Sequence, residues 1–145
     1  MSKTGQCLCG AVSFELTDAP TSYGACHCAT CRKLSGGISL AVEVGPGEIT
    51  WRGDAPTIYT SSEWAERGFC KTCGSSLFWR LTMPSPMQGL MYLSAGALDD
   101  LDGMSFDSEV YIDAKPASHA FAGTRKQMTE ADVMEMVAAS TGENT

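Results

Sequence analysis

Seven cysteines divide this chain into three clusters: Cys7 with Cys9, then Cys26, Cys28 and Cys31, then Cys70 with Cys73. Thiols packed this closely in sequence have four uses: disulfides, a redox couple, metal ligands or a catalytic nucleophile. An odd count leaves one thiol outside any scheme built only of disulfides. The opening stretch "MSKTGQCLCGAVSF" has no apolar run ahead of a small-residue cleavage site, so no secretory leader is expected. No segment approaches the roughly 20 apolar residues that span a bilayer. The expected location is therefore cytoplasmic and reducing, where clustered cysteines serve as metal ligands or catalysts rather than disulfides.

The clusters are of two kinds. "CLCGAVSF" and "CKTCGSSLFW" each end in cysteine followed by glycine and then run into a strand pattern. Glycine there permits a left-handed turn, which aims backbone N–H groups at thiolate sulfur. Two such half-sites, Cys7 with Cys9 and Cys70 with Cys73, make a four-thiolate tetrahedral zinc site of the closed, structural kind. The long separation of the halves is no obstacle, because a metal that closes a long loop of a β domain contributes to folding.

The middle cluster lacks that glycine. "CHCATCRKLSGG" reads as a loop entering a short helix that stops near Gly36 and Gly37. Thiols at a helix start, with Arg32 and Lys33 nearby, are expected to have lowered pKa values. Cys26, Cys28 and Cys31 on one zinc leave a fourth position for water or substrate, the pattern of a catalytic site. His27 is expected behind the metal rather than on it, since adjacent residues seldom both reach one ion. His119 is expected at the surface or on a lid. Neither histidine is followed two residues later by glutamate, so the zinc-deaminase pattern is missing.

Strand signals dominate the rest. "AVSFEL" puts Val12, Phe14 and Leu16 on one face, and "ISLAVEV", "TIYTS", "SLFWRL", "LMYLSAG" and "SEVYI" follow between turns such as "GPGE". Most connections are too short for crossover helices, which predicts mainly β structure in antiparallel sheets. One further helix is predicted over "TEADVMEMVAAS". Thr129 is its N-cap, Met128 packs back on Val133, and Met136 and Val137 extend the apolar stripe. A single domain over residues 1–139 and a flexible tail over 140–145 are expected. The net charge of −7 and pI near 4.7, with no basic run longer than two residues, exclude nucleic acid or an anionic membrane as main partner.

In that order, "GQCLCGAVSFEL", "CHCATCRKLSG", "FCKTCGSSLFW" and "LSAGALDDL" resemble the glutathione-dependent formaldehyde-activating enzyme family, which also includes centromere protein V. The resemblance implies a β-tent fold, two antiparallel sheets meeting around zinc. It also implies two zinc ions per chain, a structural one on Cys7, Cys9, Cys70 and Cys73 and a catalytic one on Cys26, Cys28 and Cys31. The implied reaction joins formaldehyde and glutathione to S-hydroxymethylglutathione, a carbon–sulfur lyase activity on a small-molecule thiol. Arg32, Lys33, Lys71 and Arg80 are candidate cations for an anionic tripeptide. Many members have a tryptophan soon after a lysine–proline stretch, whereas this chain reads "KPASHAFAG", so Ser118 and His119 are expected to give a different pocket wall.

Two alternatives stand beside the zinc enzyme. A middle-cluster cysteine acting directly as nucleophile or redox centre would require an uncoordinated thiolate. A non-catalytic zinc-binding module would require the fourth metal position to be blocked, with His27 the nearest candidate.

Overall fold

The computed structural model describes residues 2–141. Strands β1 (Lys3–Gln6), β2 (Val12–Leu16) and β3 (Ser22–Cys26) lead into helix α1 (Ala29–Ser35). Six strands follow: β4 (Ser39–Val44), β5 (Ile49–Gly53), β6 (Thr57–Thr60), β7 (Ala65–Phe69), β8 (Ser76–Leu81) and β9 (Met91–Ser94). Then come β10 (Ser105–Val110), β11 (Lys126–Met128) and helix α2 (Glu130–Thr141).

The strands form two sheets, one in the order β1-β2-β5 and one in the order β11-β10-β3-β4-β9-β8-β7-β6. The chain is mainly β, with a short helix after the middle cysteine cluster and a second helix at the end, as the sequence predicts. Pairing is antiparallel except at β10, which runs parallel to both β3 and β11. Parallel neighbours need a connection of about a dozen residues or more. The stretches between β3 and β10 and between β10 and β11 are long enough, so the antiparallel rule drawn from short turns does not reach them. The register sets Glu109 and Val110 opposite Ala25 and Cys26.

The two sheets bury their facing side chains in one cluster. Val12, Phe14 and Leu16 of β2 are buried, as their alternation predicts, together with Val42, Leu77, Phe78, Met91 and Leu93 of the larger sheet. Burying each of the larger ones contributes about 1.5–3 kcal/mol. Trp51 of β5 bridges the sheets, its ring 5.6 Å from Phe14 and 5.5 Å from Phe78.

Helix α1 ends where Gly36 adopts φ 79° and its N–H donates to the Arg32 carbonyl. Helix α2 is capped reciprocally: Thr129 Oγ1 accepts from the Asp132 N–H at 3.2 Å, and Asp132 Oδ2 accepts from the Thr129 N–H at 2.9 Å. Its apolar stripe is narrower than expected. Val133 and Val137 are half-buried but Met136 is 47% exposed, α2 packing mainly on β11 and the turn Ile112–Ala114. Of the tail expected over 140–145, residues 142–145 lie outside the described residues, and α2 runs through the first two.

Candidate metal centres

The first and last cysteine clusters come together as two matching turns. Cys7 follows β1 and Cys70 follows β7; in each turn the glycine after the second cysteine takes a left-handed backbone, Gly10 at φ 81° and Gly74 at φ 80°. The Gly10 N–H donates to the Cys7 carbonyl and the Gly74 N–H to the Cys70 carbonyl. The Val12 N–H points at Cys7 Sγ (3.3 Å), and Ser75 Oγ lies 3.1 Å from Cys73 Sγ while accepting from the Leu8 N–H.

The four sulfurs all lie within 4.8 Å of one another, with Cys7 and Cys9 3.6 Å apart and Cys9 and Cys70 3.8 Å apart. Sulfurs on a tetrahedral zinc with bonds of about 2.3 Å sit about 3.8 Å apart, so this donor set fits that ion. All seven cysteines are free thiols, and these separations far exceed a disulfide bond of about 2.05 Å.

The middle cluster gathers at the junction of β3 and α1. Cys26 closes β3, Cys28 caps α1 by accepting from the Cys31 N–H at 3.4 Å, and Cys31 lies in the first turn. Their three sulfurs also lie within 4.8 Å of one another, with no fourth cysteine, histidine or carboxylate in the group among the described residues. Soft thiolates at this spacing fit zinc with one position left over.

The thiols do not share one pKa shift, contrary to the expectation of uniform lowering at a helix start. Hydrogen bonds from Cys26 and Cys31 bring Cys28 down to about 2, with Arg67 adding to the effect. The same contacts with Cys28 and Cys31, plus burial, push Cys26 up, and Cys31 is also raised on balance. One thiolate thus suppresses ionisation of its neighbours until a cation removes the repulsion.

Behind the cluster lies a buried polar network. His27, 6% exposed, donates its backbone N–H to the Val110 carbonyl, and its Nε2 lies 2.8 Å from Glu109 Oε1. The other carboxylate oxygen, Oε2, accepts from Arg125 Nη1 at 2.8 Å and Gln127 Nε2 at 3.3 Å. Burial pushes the Glu109 carboxyl up, but His27, Arg125 and Gln127 outweigh it and hold it below the ordinary carboxylate range. His27 therefore turns its Nε2 to a carboxylate, and its ring nitrogens are not among the donor atoms gathered with the three sulfurs.

The family model for glutathione-dependent formaldehyde-activating enzyme matches residues 2–114. The chain belongs to the glutathione-dependent formaldehyde-activating enzyme family. It is similar to an uncharacterized lyase of Schizosaccharomyces pombe, 29% identical over 133 residues that cover 92% of this chain and 95% of that protein. A Podospora anserina protein carrying the family's name is 33% identical over 97 residues, 63% of this chain and 46% of its own length. One from Aspergillus oryzae is 30% identical over 98 residues, 64% of this chain and 51% of its own. This chain thus spans about half the length of those two fungal relatives.

The candidate cations of this family member stand in different surroundings, with Arg32 and Lys33 exposed on α1. Arg80 is engaged by Glu66, its Nε 2.9 Å from Oε1, and Lys71 sits exposed beside the four-thiol cluster. Lys33 stands on α1 at the rim of an open groove of about 360 Å³, lined also by Thr30, Leu34, Tyr59 and Arg67. An adjoining groove of about 470 Å³ shares Leu34, Tyr59 and Arg67.

Arg67 went unseen in the sequence, although β7 carried a signal. Ala65, Arg67 and Phe69 share one strand face, and a charged residue on an otherwise apolar face needs a partner. Its partner is Cys31. Glu109 and Arg125 were also missed, and no local pattern marks them. His119 is half-buried between exposed neighbours, its ring 6.4 Å from that of His27 and its Nε2 shielded from solvent. No helix among the described residues is long and apolar enough to cross a membrane.

Proposed function

We propose that this protein is a zinc-dependent carbon–sulfur lyase that joins glutathione and formaldehyde to S-hydroxymethylglutathione and splits the same adduct in reverse. The observation that carries the reading is the contrast between clusters. Four sulfurs complete a closed donor set at Cys7, Cys9, Cys70 and Cys73, whereas Cys26, Cys28 and Cys31 stop at three. A site with only a structural duty has no need of a vacant donor position. The four-cysteine set is accordingly the structural site and the three-cysteine set the catalytic one. Zinc held by Cys26, Cys28 and Cys31 would supply a Lewis acid that lowers a bound thiol's pKa, giving a thiolate at neutral pH.

The chain's own groups provide position. Cys28 fixes the start of α1 and so the direction of the groove beside it. Lys33 on the rim offers a cation to a tripeptide with two carboxylates, in a chain that is otherwise acidic. Tyr59 and Leu34 give the groove apolar walls for the peptide's methylenes. In the reaction sulfur bonds to the formaldehyde carbon and the carbonyl oxygen takes up a proton, with no net oxidation. Seven free thiols suit a reducing compartment such as the cytoplasm.

The test combines metal content with turnover. Two zinc ions per chain and acceleration of adduct formation above the spontaneous rate, lost in Cys28→Ser, are expected. Two zinc ions without acceleration for glutathione or any other thiol would overturn the enzyme reading in favour of a binding module. A second reading, a cysteine-based redox enzyme, draws on the depressed Cys28 thiol. It predicts one zinc per chain and a reactive Cys28 in the protein as isolated.

A further inference from the structure

We infer that Arg67 is a positioning residue for the three-thiol site: its guanidinium clamps the Cys31 sulfur, and its charge makes metal binding there electrically neutral. Both terminal nitrogens, Nη1 and Nη2, lie 3.6 Å from Cys31 Sγ. Arg67 is 7% exposed, its Nε is buried without a hydrogen-bond partner, and no carboxylate pairs with it among the described residues. A buried guanidinium with no carboxylate is costly to maintain. Among the described residues the only acidic group in contact with it is the thiol cluster.

The two centres differ in this respect. Around the four-thiol cluster the polar groups against sulfur are neutral, among them the Val12 N–H and the Ser75 hydroxyl. Four thiolates and a zinc carry two net negative charges, and among the described residues no cationic side chain hydrogen-bonds a sulfur of that set. Three thiolates and a zinc carry one, which Arg67 cancels. Its position follows from the fold: α1 leaves β3 and crosses to the far strands, where Ser76 Oγ donates to the Leu34 carbonyl. That crossing lays Cys31 over Arg67 of β7. Paired charged donors on one sulfur also draw electron density from it, which sets Cys31 apart from Cys26 and Cys28.

This inference rests on the reading of the three-thiol cluster as a zinc site. Its test is zinc affinity at each site, by chelator competition, in wild type, Arg67→Met and Arg67→Lys. Methionine keeps the packing of the stem without burying an unpaired polar head. Arg67→Met should weaken one zinc by about 10- to 100-fold, the range for removing a partner just outside the ligands, and leave the other unchanged. Arg67→Lys should fall between. With cobalt(II) in place of zinc, the sulfur-to-metal absorption of the affected site alone should shift. Unchanged affinities and an unshifted band in Arg67→Met would overturn the assignment.

Should Arg67→Met fail to fold, the wild type decides. The Arg67 guanidinium signals in nitrogen-15 spectra should move when cadmium replaces zinc in the weaker site, and signals that stay fixed overturn the clamp. Wild type holding a single zinc would instead sink the zinc reading of the cluster, and the clamp with it. Two zinc ions with an insensitive Arg67 would sink the clamp alone.

Discussion

Nε2 of His27 lies 2.8 Å from Oε1 of Glu109, across 82 positions of sequence, where Glu109 is only 2% exposed. The other carboxylate oxygen is held by Arg125, whose guanidinium also covers the Phe106 ring at 4.1 Å. One carboxylate thus ties β10 to the segment carrying Cys26 and Cys28 and to the start of β11. Removing it strands a buried cation, a loss worth about 3–5 kcal/mol.

Glu109→Ala should therefore lower the urea-unfolding free energy of the zinc-loaded protein by about 3–5 kcal/mol, and Glu109→Gln by less, since an amide keeps an acceptor. The pH dependence has a definite sign. Glu109 is held below its ordinary value of 4.5, so its contribution is complete above that pH and fades as pH falls through the lower folded value. The gap between wild type and Glu109→Gln should narrow over that acid range. A gap that stays constant down to pH 3, or a cost of Glu109→Ala below about 1 kcal/mol, would contradict the account.

The two cysteine sets should separate stability from activity. Cys70→Ser breaks the closed set that joins the end of β1 to the end of β7. Structural zinc in small domains contributes on the order of 10 kcal/mol of folding energy, so this variant should lose cooperative unfolding or drop its midpoint steeply. Cys28→Ser removes a donor from the open set but leaves a residue well suited to cap α1. It should lose one zinc and turnover while unfolding near the wild-type temperature. Thermal unfolding with zinc counting checks both, and equal loss of stability in the two variants would show that the sets do not divide the work this way.

The cysteine partition was legible because it is written in local spacing. A cysteine–glycine turn entering a strand needs only five or six consecutive residues, and both examples fold as read. The β2 face of Val12, Phe14 and Leu16 was equally plain. Strands β1, β3, β5, β7 and β11 escaped: "KTGQ" and "SYGAC" show little alternation of apolar and polar residues, and their pairing comes from neighbours distant in sequence. Arg67 meets Cys31 across 36 positions, and Glu109 meets His27 through the parallel pairing of β10 with β3. Contacts of that kind depend on topology, which residue spacing alone does not encode.

Thiol reactivity in the one-zinc protein offers a direct view of the open cluster. Cys28 is half-exposed and its thiolate is stabilised by hydrogen bonds from Cys26 and Cys31, then by Arg67, while Cys26 is held protonated. At pH 6 a limiting amount of iodoacetamide should modify Cys28 before Cys26 or Cys31, as located by peptide mass. Adding the second equivalent of zinc should protect all three. Modification falling first on Cys26 would contradict the arrangement of donors within the cluster.

Lys33 tests where an anionic thiol docks. It stands exposed on α1 at the groove rim, with the buried Arg67 beneath, and it makes no ion pair among the described residues. An exposed cation acts on a bound carboxylate through a screened, water-filled gap, so its effect is modest and falls on binding rather than on chemistry. Lys33→Glu should raise KM for glutathione by about two- to fivefold with kcat nearly unchanged, and added salt should shrink the difference. For an uncharged thiol such as 2-mercaptoethanol the substitution should have no effect. Equal changes for charged and uncharged thiols would mean that Lys33 shapes α1 rather than reading charge, and an unaltered KM for glutathione would place the tripeptide's carboxylates elsewhere.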